Sequence, residues 1–148
     1  MYHQKLKIYN NYGPTENTVV TTNYKTTENS MGMINIGKPI SNTSVYIVNK
    51  KGKLMPFGLY GELWIGGKGL ARGYLNNEDM TKEKFVANPF EKNSFIYKTG
   101  DIVRWNSMDN LVFKSRIDDQ IKIRGFRIEL AEIEMILRKY EALENCAV

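Results

Sequence analysis

The chain has 148 residues, 42% apolar and 25% charged, a composition that excludes collagen-like, disordered and membrane-spanning classes and suits one domain with a real core. Its net charge of +5 is spread out: Lys50, Lys51 and Lys53 flank Gly52 in a turn, and acidic residues interrupt most other basic groups, so the charge reads as solvated surface and argues against a nucleic-acid-binding stripe. Cys146 and His3 are the only residues of their kinds, which excludes a disulfide framework or a Cys/His zinc site made by this chain alone. Residues 1–8 lack the apolar stretch of a secretory signal, and a cytoplasmic setting is expected.

Leu6 to Tyr9 alternates and suits a short strand. From Asn10 to Asn42 the chain is rich in Gly, Asn, Thr and Ser, which favours turns and loops. Thr43 to Val48 is β-branched and aromatic and predicts a strand; Gly61 to Ile65 predicts another. Glu78 to Phe85 reads as a short helix capped by Asn76 or Asn77. Phe95 to Lys98, Ile102 to Trp105 and Asn110 to Lys114 are three further strand candidates. Gln120 to Arg124 and Phe126 to Ile128 alternate on either side of Gly125 and predict a hairpin. Leu130, Ile133, Ile136, Leu137 and Tyr140 recur at helical spacing, with Glu129, Glu132 and Glu134 early, where the helix dipole favours anions. Asn145 to Val148 looks like the start of another strand. The fold class expected is α/β and β-rich.

Four stretches carry chemistry. Asn10-Asn11-Tyr12-Gly13-Pro14-Thr15-Glu16 puts an aromatic face, a hydroxyl and a carboxylate on a stiffened turn, the groups needed to stack a base, touch a phosphate and hold magnesium. The same residues also make an ordinary polar turn. Gly61-Glu62-Leu63-Trp64-Ile65-Gly66-Gly67-Lys68-Gly69-Leu70-Ala71-Arg72-Gly73-Tyr74-Leu75 has glycines at the wrong spacing for a phosphate cradle and reads as a strand followed by tight packing, with Trp64 in the core. Thr99-Gly100-Asp101 offers a carboxylate able to accept two hydrogen bonds from a vicinal diol such as that of ribose, or to close a turn. Ser115 to Glu134 is a charged strand pair feeding an amphipathic helix.

In this order the stretches resemble the N-x-Y-G-P-T-E, G-E-L-x-I-x-G-x-G-x-A-R-G-Y, T-G-D and G-R-x-D-x-Q-V-K-I-R-G-x-R-I-E-L motifs of adenylate-forming enzymes. The wording of the first and last favours the adenylation domains of nonribosomal peptide synthetases over acyl- or aryl-acid-CoA ligases, which stay open beside a non-catalytic, basic nucleic-acid-binding module. Ser115 departs from the last motif's leading glycine.

The resemblance implies that Tyr12 packs on adenine with Asn10 near the base and Gly13 in the nucleotide site. It further implies that Thr15 contacts the α-phosphate, Glu16 coordinates magnesium, Asp101 takes the ribose hydroxyls and Arg116 contacts the nucleotide. Asn11, Val19 and Val20 would line the amino-acid pocket. Asp118 would be the hinge of a small C-terminal domain, and Lys122 with Gly125 would act when that domain swings to admit a pantetheine arm. The implied organisation is the end of a large adenylation domain, a β-barrel-like subdomain, over residues 1–117, and the start of a small α+β domain over 118–148. The implied cofactors are ATP, Mg2+ and the phosphopantetheine of a partner. The implied partners are an amino acid, a peptidyl carrier protein and neighbouring synthetase domains, with no membrane. An intact domain of this kind also carries an upstream phosphate loop and a downstream lysine. One such preorganised group is commonly worth about 3 kcal/mol, roughly a hundredfold in rate, so the chain alone is expected to be inactive.

Overall fold

The computed structural model describes residues 6–26, 34–117, 121–123, 126–128, 130–140, 143 and 146–147. It forms two compact units, Met1–Ser115 and Arg116–Val148.

In the first unit, β1 (Tyr9–Tyr12), β2 (Thr22–Lys25), β3 (Ile34–Pro39), β4 (Thr43–Val48), β5 (Gly61–Gly67), β6 (Phe85–Ala87), β7 (Phe95–Trp105) and β8 (Leu111–Arg116) make one sheet. Its order is β1-β2-β3-β8-β7-β5-β4, with β6 alongside β7. The helix α1 (Glu78–Lys84) leads directly into β6. Its cap is Asn77, whose side chain accepts from the Met80 amide at 3.1 Å. That bond satisfies one of the orphan amides of the first turn.

Alternation along β5 distributes its side chains to two faces. Leu63 and Ile65 join Ile36, Ile47, Val103 and Leu111 in one core cluster, while Trp64 joins Val48 and Ile96 in another. Trp64 is therefore a core residue, as its position on the strand predicts. The second cluster is covered by Tyr46 and Phe90, stacked at 4.7 Å between ring centres. The first is edged by Tyr12, which brings a residue of the first motif onto the core.

Three strand expectations change. The strand expected at Leu6 to Tyr9 lies instead at Tyr9–Tyr12, because those residues pair with Thr22–Lys25. The stretch read as loop contains β2 and β3; pairing with neighbours outweighs the weak strand propensity of Asn, Thr and Gly there. Phe95–Lys98 and Ile102–Trp105 are one strand, β7, because Thr99-Gly100-Asp101 forms a bulge instead of a break. Opposite it, β5 advances from Glu62 to Trp64 while its partners step from Ile102 to Lys98.

In the second unit, β9 (Ile121–Ile123) and β10 (Phe126–Ile128) pair antiparallel, with Lys122 opposite Arg127. This is the expected hairpin, followed by the expected helix, α2 (Leu130–Leu137). Ile133, Ile136 and Tyr140 of the helical stripe are exposed. Asp118, Gln120, Arg124, Gly125 and Glu129 lie outside the described residues, as do Asn145 and Val148 of the strand expected at the end.

Candidate functional site

The hairpin joining β1 to β2 encloses residues 13–21 and is closed by the Thr21 amide donating to the Tyr12 carbonyl at 2.8 Å. Gly13 is required by closeness: a Cβ there would lie 2.3 Å from the Val19 carbonyl oxygen and 2.7 Å from the Thr21 nitrogen, so the chain can fold back only over a glycine. Thr15–Asn17 make one 3-10 turn. Thr18 and Val19 follow with φ of 52° and 69°, a left-handed pair rare for β-branched residues and costly enough to persist only where the surroundings hold it.

The turn is fastened to the end of the second motif. Glu16 is buried, its Oε1 accepts from the Tyr74 hydroxyl at 2.7 Å, and its carbonyl accepts from the Ala71 amide at 2.8 Å. Thr18 Oγ1 donates to the Gly69 carbonyl at 2.6 Å. Asn17, fully buried, donates through Nδ2 to Thr21 Oγ1 at 2.9 Å. Tyr74 also bonds to Tyr97, and burial, with these bonds to Tyr97 and Glu16, pushes its phenol above the ordinary tyrosine range. It therefore stays protonated, a permanent donor to Glu16.

Asp101 comes to the same unit from the bulge of β7. Thr99 Oγ1 donates to the Leu63 carbonyl at 2.7 Å and accepts from the Asp101 amide at 2.9 Å. Gly100, at φ 74°, takes the left-handed turn between them, and its amide meets Glu62 Oε1 at 3.2 Å. The buried Asp101 carboxylate accepts the hydroxyl of Tyr12. The first and third motifs thus touch directly.

The other expected residues are placed as follows. The Asn10 amide donates to the Asn35 carbonyl at 2.7 Å, so it braces β1 against β3. Asn11, on β1, and Val19, in the connection to β2, are exposed and Val20 beside it is half-buried; Asn11 Oδ1 accepts from Asn23 at 2.5 Å. Thr15 is exposed beside the buried Glu16. Arg116 is half-buried at the end of β8 and belongs to the second unit, as does the backbone of Lys122 in β9. The hinge expectation at Asp118 lies outside the described residues. Sequence reasoning gave Tyr74 no role of its own; its place as the last residue of the Gly-rich motif is the available signal.

Among the described residues no group of three or more His, Cys, Asp and Glu is placed to hold a metal. Nor is any helix among them long and apolar enough to cross a membrane. A single buried carboxylate at the Thr15-Glu16 turn fits magnesium in its usual mode, held through one or two carboxylates and the phosphates of a nucleotide, and does not fit a cage made by protein alone.

Residues 2–75 match the family of AMP-binding enzymes, and the chain belongs to that family. It is 48% identical over 146 residues to tyrocidine synthase 3 of Brevibacillus parabrevis, covering 99% of this chain and 2% of that protein. It is 49% identical over 144 residues to surfactin synthase subunit 3 of Bacillus subtilis (strain 168), covering 96% of this chain and 11% of that subunit. It therefore spans a small part of the curated relatives it matches. Among solved structures it superposes on PA1221, an NRPS protein containing adenylation and PCP domains, with a TM-score of 0.88 at 34% identity, covering 98% of this chain and 30% of that one. It also superposes on the Vibrio cholerae adenylation domain AlmE, solved with glycyl-adenosine-5'-phosphate, with a TM-score of 0.84 at 34% identity, covering 95% of this chain and 27% of that one. The β-rich α/β fold is that of a part of these adenylation domains.

Proposed function

We propose that this chain is part of an amino-acid-activating adenylation domain of a nonribosomal peptide synthetase. Its residues 1–117 would close the large domain, and 118–148 would open the small one. In the reaction, an amino-acid carboxylate oxygen bonds to the α-phosphorus of ATP as the bond to pyrophosphate breaks, giving aminoacyl-AMP. The phosphopantetheine thiol of a peptidyl carrier protein then takes the acyl group as a thioester, losing its proton while the acyl–phosphate bond breaks and AMP leaves.

The observation that carries this reading is the hydrogen bond from Tyr12 to Asp101. Two residues assigned to one nucleoside, far apart in the chain, meet at one place. In the proposed roles the Tyr12 ring packs against adenine and Asp101 accepts the two ribose hydroxyls. Asn10 helps frame the base, and Gly13 lets the turn close. Thr15, exposed at the turn, donates to the α-phosphate. Arg116 supplies positive charge to the nucleotide, and Asn11, Val19 and Val20 border the amino-acid pocket. Glu16 is the carboxylate that would hold magnesium, which when bound offsets the phosphate charge. Asp118 is the hinge, and Lys122 takes part after the small domain turns, motion of a kind that commonly gates such reactions. Neighbouring domains of the same synthetase would pass the product onward.

The test is amino-acid-dependent exchange of pyrophosphate into ATP by the full synthetase polypeptide carrying this segment. Exchange with one or a few amino acids, at least a hundredfold lower in Asp101→Ala, is expected, along with none from the 148-residue chain alone. Exchange driven by fatty or aryl acids instead would overturn the assignment.

A further inference from the structure

The second motif ends on a residue whose only apparent work is packing, yet the contacts of Tyr74 converge on Glu16. Its amide donates to Thr81 Oγ1 at 2.8 Å, and Thr81 is itself tied to the Asn77 carbonyl at 2.8 Å. Its ring meets Phe85 edge-on at 5.6 Å between centres, and Phe85 packs against the buried Tyr97 at 5.1 Å. Backbone, ring and hydroxyl are thus each held by a different element: α1, β6 and β7. The hydroxyl, 2.7 Å from Glu16 Oε1, ends that chain of contacts.

A carboxylate that must meet a cation together with phosphates needs a fixed rotamer, because glutamate otherwise spreads over several side-chain wells, and outer partners commonly tune ligand affinity by 10–100-fold. The bonds from the Ala71 amide to the Glu16 carbonyl and from the Thr18 hydroxyl to the Gly69 carbonyl hold the turn, and the Tyr74 hydroxyl grips the Glu16 carboxylate itself. We propose that Tyr74 is the positioning residue for Glu16, holding its carboxylate in the orientation that receives the divalent cation of the nucleotide complex. This rests on the reading of Glu16 as the metal carboxylate.

The experiment is equilibrium binding of Mn2+ by the full synthetase polypeptide in the presence of a non-hydrolysable ATP analogue, followed by electron paramagnetic resonance. Tyr74→Phe keeps the ring and loses the hydroxyl; the Mn2+ dissociation constant is expected to rise about tenfold, within the range for lost outer partners. Tyr46→Phe removes a tyrosine hydroxyl that accepts from Asn88 at 3.3 Å, away from Glu16, and should leave Mn2+ affinity unchanged. Glu16→Asp keeps the charge but draws the carboxylate back from Tyr74 and from the cation alike, so it should weaken Mn2+ by itself, and Tyr74→Phe added to it should weaken Mn2+ no further, because the contact that change removes is already lost. Wild-type affinity in Tyr74→Phe, or a further loss when it is added to Glu16→Asp, with loss in Glu16→Gln, would overturn the positioning role alone. Unchanged affinity in Glu16→Gln would instead remove Glu16 as the metal carboxylate.

Discussion

Tyr12 and Asp101, 89 residues apart, are joined by a hydrogen bond from the phenol to a buried carboxylate. In the role proposed for Asp101 its carboxylate must not rotate if it is to accept a diol, and the phenol restrains one of its oxygens while the β7 bulge restrains its backbone.

Removal of that hydroxyl should therefore act on ribose recognition. In the full synthetase polypeptide, Tyr12→Phe is expected to raise the KM for ATP about tenfold, equivalent to about 1.4 kcal/mol. It should also narrow the preference for ATP over 2'-deoxy-ATP, because a loosened Asp101 gains less from the second hydroxyl. Steady-state exchange with both nucleotides checks this; an unchanged preference would make the bond a packing detail.

Gly13→Ala should destabilise the 148-residue chain by about 3 kcal/mol, the upper range for forced overpacking. The added Cβ meets backbone atoms of Val19 and Thr21, which cannot rotate aside. Urea unfolding followed by circular dichroism measures the change, and a loss below about 1 kcal/mol would mean that the hairpin yields more easily than its contacts imply.

Tyr74 also predicts a pH effect. Its native phenol is held above the ordinary tyrosine value of 10.0, first by burial and then by the bonds to Tyr97 and Glu16, so the unfolded chain releases this proton at lower pH than the native one. The stabilisation is thus fully present below pH 10 and is lost as pH rises beyond it. In metal-free buffer with a chelator, the stability of the 148-residue chain should fall less steeply above that pH in Tyr74→Phe than in wild type. Parallel alkaline profiles for the two would contradict the shift.

Local patterns made some elements legible and hid others. Asn77 followed by the helical run to Lys84 carried its own cap, and the spacing from Leu130 to Leu137 carried α2, because both are set by neighbours in sequence. β2 and β3 were hidden in the stretch from Asn10 to Asn42, since their residues become strands by pairing with distant partners: Thr22 with Pro39, Asn35 with Val112. Thr99-Gly100 read as a strand end because a glycine in a bulge and a glycine in a turn look alike in one dimension. The roles proposed for Tyr12, Glu16 and Asp101 come from motif wording, and the structure adds the contact between Tyr12 and Asp101. The grip of Tyr74 on Glu16 was not legible, being a contact across 58 residues with no local signature.

Because β7 bears Tyr97 ahead of its bulge and Asp101 within it, it works as a ruler shared by the contact to Tyr74 and the contact to Tyr12. Side chains along a strand change sides at every step, so gain or loss of one residue between Tyr97 and Asp101 would turn one of them to the opposite side of the sheet. Length changes in descendants of this chain should accordingly be confined to the connections before and after β7, at 88–94 and 106–110, while the strand itself tolerates substitution but not a change in count.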